Sequence, residues 1–131
     1  MNIDRNLPSP ENRWKWLNPV GRQLGFWGFS LNRITALGLT LYLYLHLIVL
    51  SQLAGGPNAY GNFLKLIHSP VFVFGEWLVV AAGLIHGLNG LRIGLTSLGI
   101  VVPQQKQIFI VLMAIAVIGS LIFAFRMFTT L

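Results

Sequence analysis

The sequence predicts an all-α membrane protein of three transmembrane helices, with a cytoplasmic N-terminus and an interfacial N-terminal segment before the first span. Three observations carry this. Of 131 residues, 55% are hydrophobic and only 9% are charged, too few charges to cover a water-facing surface. Three stretches reach the about 20 mostly apolar residues that a helix needs to cross the roughly 30 Å hydrocarbon layer. The basic residues gather at one set of loop ends, which fixes an orientation.

Residues 1–30 form the N-terminal segment and residues 31–131 the three-helix domain. The stretch PENRWKWLNPVGRQLGFWGF mixes Trp14, Trp16, Phe26 and Trp27 with basic residues. Aromatic rings with one wet and one dry edge suit the headgroup zone, so this segment reads as a membrane-surface anchor that can also dock a partner. A cleavable signal peptide would carry an apolar stretch near the start; here the start is polar and proline-punctuated, and the chain is expected to be retained whole.

The first span covers residues 34–53, ITALGLTLYLYLHLIVLSQL, and AGGPN at 54–58 ends it. The second starts at Pro70, a residue suited to the first turn of a helix, and runs to about residue 95, with Gly99 and Pro103 as breakers beyond. The third covers residues 106–128 and carries no polar residue able to do chemistry at mid-span. Arg5, Arg13, Lys15, Arg22 and Arg33 precede the first span, Arg92 and Lys106 flank the second loop, and only Lys65 and Arg126 lie on the other side. The positive-inside rule then puts the N-terminus and second loop in the cytoplasm, with the first loop and C-terminus outside, and the chain is expected to be a multi-pass protein of the inner (cytoplasmic) membrane. The same placement accounts for the net charge of +6 without nucleic acid. With no cysteine, the chain has no disulfide, zinc or iron-sulfur ligand set of its own, so any iron-sulfur chemistry belongs to a partner.

Polar side chains inside hydrocarbon cost about 2 to 3 kcal/mol on insertion scales and usually face a partner, a cofactor or a cavity. His86 lies beside Gly83, Gly87, Gly90 and Gly94, whose 4-3-4 spacing lines one helix face. Two readings fit: an axial haem ligand beside a face that admits a flat macrocycle, or a helix-packing groove with the imidazole hydrogen-bonded across it. His46 shares a 4-3-4 face with Thr35, Leu39 and Tyr42, compatible with a cofactor wall or an interhelical hydrogen-bond seam. Counting from Arg33 and Arg92, His46 lies about 20 Å and His86 about 9 Å from the cytoplasmic side, a height difference of roughly 10 Å. If both are ligands, each serves a different haem whose opposite ligand comes from another chain. His68, in the outer loop, reads as solvated or interfacial.

Arg33-Ile34-Thr35, His46 thirteen residues after that arginine, and Glu76 ten residues before His86-Gly87-Leu88-Asn89-Gly90-Leu91-Arg92 resemble the cytochrome b membrane-anchor subunit of succinate dehydrogenase, respiratory complex II. The resemblance covers about residues 30 to 128 and is closest to bacterial forms with a HALNGLR-type segment. It implies that His86 and His46 ligate two b haems, each shared with a second anchor subunit, and that Arg92 meets a haem propionate. It also implies a quinone site, for menaquinone or ubiquinone, at Ser30 and Arg33 beside the iron-sulfur subunit, with succinate oxidised in the flavoprotein subunit. Arginine and serine can both donate to a quinone carbonyl. Two positions depart from the pattern: Phe29 stands where the family commonly has serine, and Ser97 where it often has aspartate. Glu76 reads as a hydrogen-bonding group at the interface beside Trp77, with proton exchange as the other reading. Alternatives to the succinate dehydrogenase reading are a quinol:fumarate reductase anchor, a haem-free structural anchor or assembly protein, and a transporter subunit with His46, Glu76 and His86 as a relay.

Overall fold

The computed structural model describes residues 23–67 and 69–129; Arg5, Arg13, Trp14, Lys15, Trp16, Arg22 and His68 lie outside the described residues. Those residues form α1 (Leu24–Ser51), α2 (Pro57–Ile67), α3 (Pro70–Ser97) and α4 (Gln105–Thr129), with no strand among them. At 28, 28 and 25 residues, α1, α3 and α4 are long and apolar enough to cross a membrane. Their lengths of about 42, 42 and 38 Å exceed the roughly 30 Å hydrocarbon layer. The chain is a multi-pass membrane protein.

Two elements differ from the sequence expectation. Helix α1 starts at Leu24, not near residue 34, because Ser30, Asn32 and Arg33 interrupt the hydropathy without breaking a helix. Gly28, Ser30 and Thr35 in this early part are buried. The AGGPN break contains a helix start as well as a stop. A 3-10 turn over Gln52–Gly55 ends at Gly56, whose φ of 83° suits glycine, and Pro57 then opens α2. With 11 residues α2 is too short to span, and Phe63 packs edge-on against Phe72 of α3, ring centroids 6.4 Å apart. Past α3, Gly99 and Val101 both have positive φ, 76° and 59°; the second is a strained setting for a β-branched side chain.

Helix α3 is the middle helix, packed against both α1 and α4, which touch each other little. The contacts run antiparallel. Trp77 near the start of α3 donates its indole N–H to Ser120 near the end of α4, 3.1 Å to the carbonyl and 3.0 Å to the hydroxyl. At the opposite end Arg92 stacks over Phe109, 5.2 Å from the ring centroid. Phe109, Ala116 and Ser120, at spacings of seven and four, make the buried stripe of α4. Between them Leu84 lies against Gly119, where a small residue lets the helices approach. Most other large apolar side chains point outward, as lipid or protein neighbours require.

Candidate functional site

The site is the seam between α1 and α3. Asn89 is wholly buried, at 0% exposure, and donates its amide to the Gly28 carbonyl of α1 at 2.7 Å. Its oxygen accepts from Arg92 Nε at 3.1 Å, three residues on along α3. Gly28 permits this approach: a Cβ there would lie 3.0 Å from Arg92 Nη2 and 3.2 Å from Phe109. Arg92 is buried among Asn89, Gly28 and Phe109.

One turn further along the seam, His86 Nδ1 lies 3.2 Å from the Asn32 carbonyl and 3.2 Å from Thr35 Oγ1. Thr35 is buried and donates its own hydroxyl proton to the Leu31 carbonyl at 2.7 Å. Nε2 of His86 has no hydrogen-bond partner among the described residues. The glycine face beside it is open: a Cβ on Gly83, Gly87, Gly90 or Gly94 would meet nothing within 4 Å. Asn32 Oδ1 is a buried acceptor without a partner among the described residues.

A profile of the Succinate dehydrogenase/Fumarate reductase transmembrane subunit family matches residues 10–123. The chain belongs to that family. It is 29% identical to the succinate dehydrogenase hydrophobic membrane anchor subunit of Halobacterium salinarum, over 89% of each chain. It is 27% identical to the succinate dehydrogenase 2 membrane subunit SdhC of Mycobacterium tuberculosis, over 66% of this chain and 63% of that one. No solved structure matches. A membrane-anchor role follows for this transmembrane subunit.

The other candidates from the sequence are not brought together with His86. His46 is exposed on α1 and stacks on Tyr42, centroids 5.6 Å apart. It lies 11 residues after Thr35, hence about 16 Å along α1 from the level of His86. The two histidines cannot hold one iron between them. The separation exceeds the roughly 10 Å expected because Arg33 and Arg92 do not share a level: Arg92 packs beside Gly28, about 8 Å along α1 from Arg33. Arg33 is exposed, its guanidinium 4.8 Å above the Phe29 ring, so the residue that departs from the family pattern supplies a cation-π platform. Ser30 is buried and makes no hydrogen bond with Arg33. Glu76 is exposed.

Sequence reasoning missed Asn32 and Thr35 as partners of His86, and Asn89 as the lock of the seam. The signal for Asn89 was present: it lies three residues from both His86 and Arg92, the spacing of neighbours on a helix surface.

Proposed function

We propose that this chain is the cytochrome b anchor of a succinate:quinone oxidoreductase, with His86 and His46 each giving one axial ligand to a separate b haem. The observation that carries the reading is His86 itself. Its Nδ1 is held by α1, its Nε2 is unengaged, and the glycine row beside it is open to the close approach of a flat macrocycle. His46, exposed at a different level of α1, suits a second ligand completed from a second anchor subunit. Haem b would supply one-electron storage between the membrane faces.

In this reading the N-terminus and the loop at 98–104 face the cytoplasm, which the clustering of basic residues supports. The flavoprotein and iron-sulfur subunits dock there, and succinate is oxidised in the flavoprotein. Arg33, exposed above Phe29, donates to a carbonyl of menaquinone or ubiquinone and stabilises negative charge as it is reduced, with Ser30 on the same helical turn as a second donor. Arg92, whose Nε is engaged by Asn89, would offer its remaining N–H groups to a haem propionate. The same residues serve an enzyme that runs from quinol to fumarate, since partner and quinone potentials set the direction.

The test is the dithionite-reduced minus oxidised spectrum of the purified complex, with haem quantified per chain, in wild type, His46→Ala and His86→Ala. Two b haems in wild type, a different one lost in each variant, is the expected result. Absence of a b-type band from a complex that retains its soluble subunits would make this chain a haem-free anchor. One haem lost only with His86→Ala would return His46 to a packing role.

A further inference from the structure

We infer that Thr35 is a positioning residue for the His86 imidazole: with the Asn32 carbonyl it holds the ring as the tautomer protonated on Nδ1 and presents Nε2 to iron. This rests on the ligand role proposed for His86. Both groups facing Nδ1 are acceptors. The Asn32 carbonyl can only accept, and the Thr35 hydroxyl donates to main-chain carbonyls of its own helix, Leu31 at 2.7 Å with Asn32 at 3.2 Å, which leaves a lone pair toward the ring at 3.2 Å. A nitrogen facing two acceptors within hydrogen-bond distance carries the proton. The neutral imidazole therefore keeps its lone pair on Nε2, the atom with no partner among the described residues.

The arrangement acts on the metal as well as on the ring. A hydrogen bond donated from the distal nitrogen raises the basicity of the ligating one, and a more basic ligand favours ferric over ferrous iron. Thr35 also helps to fix the ring, because its hydroxyl and the Asn32 carbonyl, 3.2 Å apart on one turn of α1, together give Nδ1 two contacts instead of one. A carbonyl alone would let the ring pivot about a single bond. The segment from Asn32 to Thr35 flanks Arg33, so one turn of α1 holds both the imidazole and the arginine proposed to meet quinone.

The experiment is a redox titration and low-temperature EPR of the purified complex carrying Thr35→Val, Thr35→Ala or Thr35→Ser. Valine and alanine remove the hydroxyl with different shapes; serine keeps it. In Thr35→Val and Thr35→Ala the preference of the His86-dependent haem for the ferric state is expected to fall about threefold to tenfold, the upper figure being a rise of about 59 mV for a one-electron couple. Its low-spin ferric g values are expected to shift with the change in ring orientation. Thr35→Ser is expected to restore both. Loss of this haem from assembled valine and alanine complexes, with retention in serine, also supports the inference. Wild-type potential and g values in a haem-replete Thr35→Val complex overturn it, and so does failure of both hydroxyl-free variants to assemble, which assigns Thr35 to packing. A wild-type complex without b haem defeats the ligand reading instead.

Discussion

Replacing Asn89 by leucine removes both hydrogen bonds of the fully buried amide while leaving a side chain of similar size. The losses are unequal. The bond to the Gly28 carbonyl, 2.7 Å between two membrane helices, belongs to a class that averages about 0.6 kcal/mol. The bond from Arg92 Nε, 3.1 Å, leaves a cationic donor buried without its acceptor, at about 1.5 to 3 kcal/mol. The variant should lose about 2 to 3.5 kcal/mol, a shift of roughly 30- to 300-fold in the equilibrium that keeps α1 on α3. The assay is SDS titration of the assembled complex, following release of this chain, in wild type, Asn89→Leu, Arg92→Met and the double variant. The double variant should recover part of the loss, since removing both partners is far milder than orphaning one. A cost below about 0.5 kcal/mol for Asn89→Leu, or strict additivity in the double variant, refutes the reasoning.

Gly28→Ala should cost about 1 to 3 kcal/mol in the same titration, because its Cβ would come within 3.0 Å of a buried guanidinium and 3.2 Å of Phe109. Trp77→Phe deletes the indole donor to Ser120 and should cost about 1 kcal/mol, with Ser120→Ala costing less because the carbonyl still accepts. Val101→Gly relieves a positive φ of 59° and should raise the unfolding midpoint, a gain of about 1 kcal/mol offset in part by the added freedom of the unfolded chain. A Cβ on Gly87 would meet no atom within 4 Å, so Gly87→Leu should leave the helix bundle intact within about 0.5 kcal/mol, while abolishing the b-type band that depends on His86. Full haem content in that variant removes the glycine face from the haem site.

The spans were legible because run length answers to a simple external ruler, the thickness of hydrocarbon. Helix starts were not. From Leu24 to Arg33 the chain is helical although Ser30, Asn32 and Arg33 lower its hydropathy, because a helix is ended by lost backbone geometry and not by polarity. Helix α2 was hidden for a related reason: Gly56 and Pro57 mark a stop and a start in adjacent positions, and only the stop was read. At the site, the open glycine face and the isolation of His86 from His46 followed from spacing within single helices. The partners of His86 did not, since Asn32 contributes a main-chain carbonyl, which leaves no trace in side-chain identity. Thr35 was placed on the His46 face, yet it is buried against α3 while Tyr42 and His46 are exposed. A helix face derived from spacing gives direction but not the neighbour it meets.

The seam has an asymmetry with a consequence for inherited variation. From α3 the donors are side chains, those of Asn89 and His86; from α1 the acceptors at Gly28 and Asn32 are backbone oxygens. No ordinary substitution deletes a backbone oxygen. Mutations in α1 can therefore harm these two bonds only by bulk or by bending the helix, so position 32 should accept varied residues and position 28 only the smallest. In α3 a single codon change at 86 or 89 removes a bond outright. Changes that act through these two bonds should accordingly cluster at 86 and 89 of α3, while α1 answers through the Thr35 side chain and the size of residue 28.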